Sequence, residues 1–439
     1  MIRRLFFFLP LIGMLFWACE DNDSFSAATG NRLSFSEDTV SFDTLFSGVP
    51  SVTATFWVRN TSSDGIRILT ARLERSGQSG YRVNVDGLYL DPVGNDFEVR
   101  KGDSILVFVE VTTRDTHKAS PQLVEDQLVF TLESGVEQRV LLRAYSWDAT
   151  KVDGLVVRRD TVIESSRPVV VYGDGIEVCS GATLTLRNTE LYFHDGAGMK
   201  VYGTIHAENC LFRGDRLERM FYYLPYDRIS GQWEGIWLLP SENRHVFTDS
   251  EIRNAVDAVV CDSTTLSMTN TVVHNSSGAG LAARHSLVTL TECQLTNTLG
   301  DCLLLDGCDA VVEHCTIGQF YPFSANRGYG LRFSNSSSPL KMYCKNTLVT
   351  GYADDVVMVE KQDASDNGFD FHFADCLLRT PKVDDEQQFE RVIWETPKDS
   401  VQGKEHFVTI DEENFYYDFT LDAKSPALAK GIGRIEKSK

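Results

Sequence analysis

The sequence predicts an all-β protein in which an N-terminal immunoglobulin-like β-sandwich is followed by a right-handed parallel β-helix. Two observations lead to this prediction. Apolar and polar residues alternate with period two through the first third of the chain, which is typical of half-buried strands. From about residue 184 onward, a short motif recurs mostly every 20–23 residues, which is typical of a solenoid.

Composition supports a folded, acidic protein. The 439 residues include 42 Lys and Arg against 62 Asp and Glu, which gives a formal charge of −20. Hydrophobic residues make up 42% of the chain, enough for a large core, so wholesale disorder is excluded. Nucleic-acid binding needs clustered positive charge, so we expect no nucleic-acid partner.

Residues 1–18 are predicted to be a lipoprotein signal peptide. Arg3 and Arg4 precede the apolar run Leu5–Ala18, which is too short for a transmembrane helix of about 20 residues. Cys19 follows a small residue, and this junction resembles a bacterial lipobox. The resemblance implies lipidation at Cys19; the alternative is an ordinary signal peptide followed by a chance cysteine.

Residues 19–31 are predicted to form an acidic, flexible tether. Glu20, Asp21 and Asp23 form a cluster that resembles the surface-export signal of Bacteroidetes lipoproteins. We therefore expect a lipid-anchored protein of the outer membrane, exposed at the cell surface. The alternative is that the cluster is only the start of a solvated linker.

Residues 32–149 are predicted to form the immunoglobulin-like sandwich. Val52–Val58 and Ile105–Val111 are two of about seven short alternating runs, and turn signals separate them. Val40–Thr44, Phe56–Asn60 and Ile66 resemble the Hydin/ASPM-type immunoglobulin-like domains of bacterial surface lipoproteins. The resemblance implies a spacer or adaptor rather than a catalytic domain.

Residues 150–382 are predicted to form the β-helix. A spacing of 20–23 residues corresponds to one coil, a spacing of forty to two coils, and a spacing of about thirty to one coil with an insertion. In each repeat one small polar or thiol residue occupies a similar place, and we expect it to point inward and stack on the next coil. These predicted ladder residues are Asn188, Cys210, Ser250, Asn270, Cys293, Cys315, Asn346 and Cys376.

Residues 383–439 are predicted to be a charged loop and the closing segment of the β-helix. Phe415–Leu421 and Ser425–Ala427 resemble the closing segment of bacterial pectin-lyase-like β-helices. Taken as a whole, the chain resembles Bacteroidetes surface lipoproteins with a Hydin/ASPM-type domain followed by a β-helix. This resemblance identifies a layout and does not imply a particular reaction.

A catalytic site cannot be assembled from the sequence. Asp257 and Asp301 precede new strands but lie two coils apart, too far to share a calcium ion, so we predict that they cap turns. No histidines have metal-ligand spacing, although His194 stands beside Asp195 at a glycine-rich turn. We predict no metal and no cofactor, and the catalytic residues remain unknown.

The segment from Arg213 to Leu239 is the candidate binding region. Its aromatic rings could stack on sugars and its arginines could bind acidic groups. The alternative is that the same residues pack the loop onto the helix or against the sandwich domain. The candidate binding residues are Arg213, Arg216, Arg219, Tyr222, Tyr223, Tyr226, Arg228, Trp233 and Trp237.

The expected function is that of a surface-anchored, non-enzymatic lipoprotein. Its rigid β-helix would present a face that binds a glycan or a surface protein. The alternative is a carbohydrate-active enzyme, either a polysaccharide lyase or a glycoside hydrolase, on a pectin-lyase-like β-helix. The lack of carboxylates on adjacent coils with a basic partner favours the binding protein.

Overall fold

The structure is a computed structural model that describes residues 24–221, 223–362 and 368–435. The chain divides into two compact units, one ending at Trp147 and the other beginning at Asp148 and including His117–Ser120. In these ranges no helix is long and apolar enough to cross a membrane. Cys19, the acidic cluster Glu20, Asp21 and Asp23, and Tyr222 lie outside the described residues.

The described part of the first unit contains two five-stranded sheets. Its strands are β1 (Leu33–Phe35), β2 (Thr39–Phe46), β3 (Ala54–Asn60), β4 (Ile66–Leu73), β5 (Tyr81–Val85), β6 (Leu88–Tyr89), β7 (Val93–Val99), β8 (Ser104–Val111), β9 (Gln122–Leu132) and β10 (Glu137–Trp147). One sheet has the order β1-β3-β8-β5-β6, and the other has the order β2-β10-β9-β4-β7. Neighbouring strands are antiparallel except β2 and β10, which are parallel.

One apolar core lies between these two sheets. Buried and exposed side chains alternate in strands such as β3, β5 and β8, as the period-two pattern predicts; in β3, Phe56 and Val58 point inward while Trp57 is exposed. Phe35 from one sheet stacks on Phe130 from the other, with 5.5 Å between ring centroids. The core therefore draws on both sheets.

The second unit is built mainly from parallel strands. Its first elements are β11 (Thr150–Val157), β12 (Thr161–Glu164), β13 (Val169–Val178), β14 (Thr183–Arg187), β15 (Glu190–Phe193), β16 (Met199–Val201), β17 (Thr204–Glu208), β18 (Leu211–Gly214), β19 (Arg219–Phe221), β20 (Leu224–Pro225), β21 (Ile236–Leu238), β22 (Arg244–Thr248), β23 (Glu251–Arg253), β24 (Val259–Asp262) and β25 (Thr265–Thr269). A single 3-10 turn, Tyr226–Arg228, lies between β20 and β21.

The remaining elements continue the same pattern to the C-terminal segment. They are β26 (Val272–Ser276), β27 (Leu281–Arg284), β28 (Leu287–Thr291), β29 (Gln294–Thr298), β30 (Leu303–Asp306), β31 (Asp309–Glu313), β32 (Thr316–Gln319), β33 (Leu331–Ser334), β34 (Leu340–Lys345), β35 (Leu348–Gly351), β36 (Val357–Glu360), β37 (Phe369–Ala374), β38 (Leu377–Leu378), β39 (Phe389–Glu390), β40 (Ile393–Trp394), β41 (Phe407–Asp411), β42 (Tyr416–Leu421) and α1 (Pro426–Ala429). A second 3-10 turn, Gly403–His406, precedes β41.

These strands form three parallel faces of a β-helix. Face A stacks β15, β18, β23, β26, β29, β32, β35, β38 and β40; face B stacks β16, β21, β24, β27, β30, β33 and β36. Face C stacks β12, β14, β17, β22, β25, β28, β31, β34, β37 and β39, and the two long strands β11 and β13 start both A and B. The prediction of a parallel β-helix is confirmed. Its interior is filled by apolar side chains from all three faces.

The predicted ladder is wrong by one residue at three places. Asn188, Asn270 and Asn346 have φ of +47°, +46° and +46°, and the threonine after each asparagine is buried instead. Asparagine tolerates this left-handed conformation, so it makes the bend and its side chain stays outside. The residues that point inward at this turn are Thr189, Cys210, Ser250, Thr271, Cys293, Cys315, Thr347 and Cys376.

Hydrogen bonding explains why these inward residues are small hydroxyls or thiols. The side-chain oxygen of Thr189 donates to the carbonyl of Arg187 at 2.7 Å, and that of Ser250 donates to the carbonyl of Thr248 at 2.8 Å. Each therefore satisfies a backbone acceptor two residues earlier, inside a turn that has no room for a longer side chain.

The spacing of forty residues between Cys210 and Ser250 is one coil, not two. Strand β17 pairs directly with β22, and β18 pairs directly with β23. The extra residues form an insertion between β18 and β21, which we call the 215–235 insertion. It contains the antiparallel hairpin β19–β20.

The C-terminal segment covers the side of the last coils. Strands β39 and β40 continue faces C and A as far as Trp394, past the predicted boundary at 382. Phe407, Phe419 and Leu421 then pack against Phe320 and Leu348 of the helix. The nine cysteines in the described residues form no disulfide bonds with one another.

Candidate functional site

The structure separates the two tryptophans of the candidate binding region. Trp233 is only 1% exposed; its ring stacks on Phe193 with centroids 4.3 Å apart, and its Nε1 donates to the carbonyl of Arg253 at 2.8 Å. Trp237 lies on the outside of face B and is 38% exposed. The expectation that Trp233 belongs to a binding surface is therefore corrected, since its large apolar ring fills the core.

The predicted arginines are held by partners within the protein. Arg213 is buried, and its Nη1 lies 2.9 Å from a carboxylate oxygen of Asp227. Arg216 pairs with Glu218 and lies over the ring of Tyr226. Arg213 is thus not a surface residue, because the insertion folds back over it.

The hairpin β19–β20 carries the exposed part of the insertion. Arg219, Phe221 and Tyr223 are exposed, and the rings of Phe221 and Tyr223 stack with centroids 5.7 Å apart. Arg228 is half-buried, with its guanidinium over the ring of Tyr416. The only strongly exposed rings among the described candidates are therefore those of Tyr223 and Trp237.

A histidine–carboxylate pair lies where the insertion begins. Phe193 and Gly214 are register partners on face A, so the residues that follow them, His194 and Asp215, are neighbours on adjacent coils. His194 Nδ1 lies 2.7 Å from Asp215 Oδ2, and this hydrogen bond leaves Nε2 without a partner among the described residues. The histidine side chain is 43% exposed while that of Asp215 is 3% exposed.

This pairing differs from the one suggested by sequence adjacency. The sequence places Asp195 next to His194 at a glycine-rich turn, but the residue that hydrogen-bonds to His194 is Asp215, one coil later. The available signal was the separation of 21 residues, which equals one coil and places the two side chains side by side. A buried carboxylate on Nδ1 orients the imidazole and leaves Nε2 free to take a proton.

Two buried carboxyl groups here, Asp215 of the pair itself and Glu218 of the insertion, have raised pKa values. Burial raises the pKa of Asp215 above its ordinary value, and the hydrogen bond with His194 opposes that effect. Burial also raises the pKa of Glu218, against the charge of Arg216. Perturbed carboxyls gathered next to an exposed imidazole are typical of sites that move protons.

A tyrosine completes the row. Tyr172 follows Val171, the register partner of Phe193, so Tyr172, His194 and Asp215 stand on three successive coils. The centroid of its ring lies 5.1 Å from that of the imidazole. Burial and the charge of Asp215 raise the pKa of Tyr172 to about 12, so its hydroxyl keeps its proton at neutral pH.

The same coils place a cation and an exposed ring on face B. Lys200 and Trp237 are register partners on β16 and β21, and both point outward. The coils that carry the row of Tyr172, His194 and Asp215 thus also carry a positive charge and an exposed aromatic ring on face B. Counting the coil of β11 as the first, these residues lie on coils two to four, and we call Tyr172, His194, Asp215, Lys200 and Trp237 the coil 2–4 site.

A second constellation looks catalytic but is structural. His406 Nδ1 lies 2.8 Å from Ser425 Oγ, and His406 Nε2 lies 3.1 Å from a carboxylate oxygen of Glu395. All three side chains are buried, and Ser425 Oγ also accepts from the backbone of Ala427 as the N-cap of α1. No substrate reaches these atoms, so the network anchors the C-terminal segment.

The aspartates at the start of face B cap turns, as predicted. Asp257 Oδ1 accepts from the backbone N–H of Ala279, and Asp301 Oδ1 accepts from that of Tyr329, each at 2.7 Å. Within the described ranges no group of three or more His, Cys, Asp or Glu side chains is arranged to hold a metal ion.

A cleft of about 690 Å³ runs along the turn between faces C and A. Its polar side chains bond to one another: Asn209 Nδ2 donates to Asn188 Oδ1 at 2.9 Å, and Asn270 Nδ2 donates to Asp249 Oδ1 at 2.6 Å. Arg434 donates to Asn270 Oδ1 at 3.1 Å. These contacts fix the coil edges and leave the coil 2–4 site as the stronger functional candidate.

No protein-family model matches this chain, and no curated protein matches it. The similar solved structures include the catalytic unit of a GH87 α-1,3-glucanase from Streptomyces thermodiastaticus, which shares 10% identity over 78% of this chain and 89% of its own length, with TM-score 0.20. They also include the Agl-KA catalytic domain, which shares 10% identity over 79% of this chain and 91% of its own length, with TM-score 0.19. A family 123 glycoside hydrolase from Clostridium perfringens shares 8% identity over 27% of this chain and 25% of its own length, with TM-score 0.20. Sequence identities and TM-scores this low carry no argument about what this chain binds or cleaves.

Proposed function

We propose that this protein is a carbohydrate-active enzyme that cleaves uronic-acid polysaccharides by β-elimination at the coil 2–4 site. The observation that carries the proposal is the hydrogen bond between exposed His194 and buried Asp215. It presents a free imidazole nitrogen at the surface in an orientation fixed by the carboxylate.

The proposed reaction needs only groups present in the site. His194 Nε2 removes the proton at C5 of the uronate, the C4–C5 double bond forms, and the bond from C4 to the glycosidic oxygen breaks. The departing oxygen takes a proton from the hydroxyl of Tyr172, whose raised pKa keeps it protonated. Lys200 would stabilise the negative charge that develops on the uronate carboxyl group, and Trp237 would stack on a neighbouring sugar.

Hydrolysis is less well supported than elimination. Glycoside hydrolases generally place two carboxyl groups on either side of the scissile bond, with room for a sugar between them. Asp215 and Glu218 have raised pKa values, but their side chains are only 3% and 4% exposed. Neither carboxyl can touch a substrate in this arrangement, whereas His194 can.

A second candidate function is glycan or protein binding without catalysis. The observation that favours it is the hairpin β19–β20, which displays the stacked rings of Phe221 and Tyr223 to solvent. Flat exposed rings suit stacking on sugars or insertion into a partner's pocket. This is the function expected from the sequence, with the binding surface reduced to the exposed residues.

The proposal extends to location and layout. A lipid on Cys19 and the acidic cluster Glu20, Asp21 and Asp23 would hold the protein on the outer face of the outer membrane of a Bacteroidetes-type cell. The first unit would be an immunoglobulin-like spacer of the Hydin/ASPM type, and the β-helix would be right-handed.

Cys19→Ser should release the protein from membranes and abolish fatty-acid labelling; unchanged fractionation would contradict the anchor.

Activity is tested on a panel of uronic-acid polysaccharides. Elimination gives absorbance at 235 nm together with new reducing ends, whereas hydrolysis gives reducing ends alone. His194→Ala should lower the rate by about 10²–10⁴, the usual contribution of a general base. His206→Ala, which removes an exposed histidine of face C, is the matched control and should leave the rate unchanged.

Three outcomes discriminate the candidates. Loss of turnover in His194→Ala, with normal folding and a normal control, supports elimination. Turnover that survives in His194→Ala contradicts the proposed base. If no polysaccharide is cleaved but Tyr223→Ala weakens binding on a glycan array, the binding function replaces the enzymatic one.

A further inference from the structure

Two arginines of face A lie side by side beneath the 215–235 insertion. Phe212 and Ile252 are register partners on β18 and β23, and Arg213 and Arg253 are the residues that follow them. Strands in a sheet are about 4.8 Å apart, and like charges placed directly opposite each other are destabilising. Burial and the nearby charge of Arg253 lower the pKa of Arg213, which reflects this unfavourable placement.

Asp227 of the insertion lies between these two arginines. Its Oδ1 is 2.9 Å from Arg213 Nη1 and 3.3 Å from Arg253 Nη1, and its Oδ2 is 3.6 Å from Arg228 Nη1. Burial acts to raise the pKa of Asp227, but the charges of Arg253 and Arg213 outweigh it and hold the pKa below its ordinary value. A single carboxylate thus bridges arginines on two coils, and Glu251 Oε1 also lies 3.3 Å from Arg253 Nε.

Several buried polar atoms around the Asp227 carboxylate lack a well-aligned hydrogen bond. Asp227 Oδ1 and Arg253 Nε are buried without a well-aligned hydrogen bond, although both lie in ion-pair range of a partner. Asn254 Oδ1 and Gln232 Oε1 are buried and unpaired as well, and both side chains donate to backbone carbonyls of the same segment. Buried polar groups that lack a well-aligned hydrogen bond are infrequent in folded proteins, and four of them lie at this contact.

We propose that Arg213 and Arg253 form a binding site for the carboxylate or sulfate group of an acidic glycan, and that Asp227 occupies this site until such a ligand displaces it. The proposal rests on the proposed function in taking a glycan as the ligand. Asp227 resembles the ligand chemically, because guanidinium groups bind carboxylates and other planar or tetrahedral oxyanions through charge-assisted hydrogen bonds.

The insertion has a suitable construction for such a displacement. Trp233 fixes its end in the core, so only the part before it has to move. Gly231 stands between Asp227 and Trp233 with φ of +75°, a conformation that glycine adopts without strain. Removing the segment would uncover Arg213 and Arg253 on one flat face, one coil apart.

The test uses the full-length protein in detergent, with Asp227→Asn and Asp227→Ala as variants. Asp309→Ala is the matched control, since it removes an exposed carboxylate from face C of the same helix. Binding of oligogalacturonate, heparin oligosaccharides and neutral dextran is measured by calorimetry at fixed ionic strength. We expect Asp227→Asn to bind an acidic oligosaccharide at least tenfold more tightly than the wild type, with no gain for dextran.

The two acidic probes distinguish the sources of the anion, because oligogalacturonate carries only carboxylates and heparin carries both carboxylates and sulfates. A gain for both probes points to a carboxylate, and a gain for heparin alone points to a sulfate. Adding Arg253→Gln to Asp227→Asn should abolish the gain. The proposal is overturned if the folded Asp227→Asn protein binds both probes as the wild type does, or if Asp309→Ala produces the same gain.

Stability gives a second readout in case Asp227→Ala folds poorly. Sodium sulfate should raise its melting temperature by several degrees more than it raises that of Asp309→Ala, because the anion would replace the missing carboxylate. Equal shifts in the two variants would also overturn the proposal. Neither readout requires turnover, so a failure of the elimination reaction leaves this test intact.

Discussion

Replacing each of two tryptophans four residues apart separates packing from binding in the candidate region. Trp233 lies in the core against Phe193, while Trp237 lies on the outside of face B. Trp233→Ala removes a buried ring and the donor to the carbonyl of Arg253. Trp237→Ala removes a ring of the same size from the surface.

The expected magnitudes differ by several kcal/mol. Truncating a buried tryptophan costs about 3–5 kcal/mol, and leaving a buried carbonyl without its donor adds about 1–3 kcal/mol. Since total stability is about 5–15 kcal/mol, Trp233→Ala should remove a large part of the stability of the β-helix. The exposed Trp237→Ala should cost about 0.5 kcal/mol or less.

Differential scanning calorimetry measures this contrast, with glycan binding and turnover measured on the same samples. At about 2–4 °C per kcal/mol, Trp233→Ala should lower the melting temperature of the β-helix by more than about 8 °C. Trp237→Ala should leave melting unchanged and reduce affinity for the polysaccharide substrate. Equal shifts in melting temperature for the two variants would refute the assignment of Trp233 to the core.

Three further predictions follow from particular contacts. Thr271→Val should lower the free energy of unfolding in urea by about 1–3 kcal/mol, because the buried hydroxyl donates to a carbonyl at 3.0 Å. Asn270→Gly should lower it by less than about 1 kcal/mol, because glycine adopts the left-handed conformation without strain. The reverse order would show that the asparagine, and not the threonine, is the inward ladder residue. The pKa of Glu395 is below its ordinary value of 4.5, because contacts with His406 and an arginine outweigh the effect of burial. The stabilisation that the ionised Glu395 provides is therefore present above pH 4.5 and is lost as the pH falls through the lowered pKa. Glu395→Gln should destabilise the protein at pH 7 and make its stability less dependent on pH during acid unfolding. Burial raises the pKa of Cys302 to about 12. This thiol should therefore react slowly with a thiol reagent at pH 8 until the protein is unfolded. Fast labelling of Cys302 in the native protein would contradict its position in the core.

Much of the fold could be predicted from local patterns. A period of two dictates which side of a strand is buried, and it indicated strands such as Ala54–Asn60 correctly. A repeat near 22 residues requires stacked coils, because a single coil cannot satisfy its own edges. The one-residue error at Asn188, Asn270 and Asn346 arose because the sequence shows which residues recur and not which of two neighbours turns inward.

The site required the tertiary structure. The sequence determined that the chain alternates, repeats and carries a polar insertion after Gly214, because these properties depend on residues close together in the chain. Only the stacking of coils decided that His194 meets Asp215 rather than Asp195, since that contact joins residues 21 positions apart. Only the path of the insertion decided that Trp233 is buried while Trp237 is exposed, because burial depends on what the rest of the chain brings to each side of a strand.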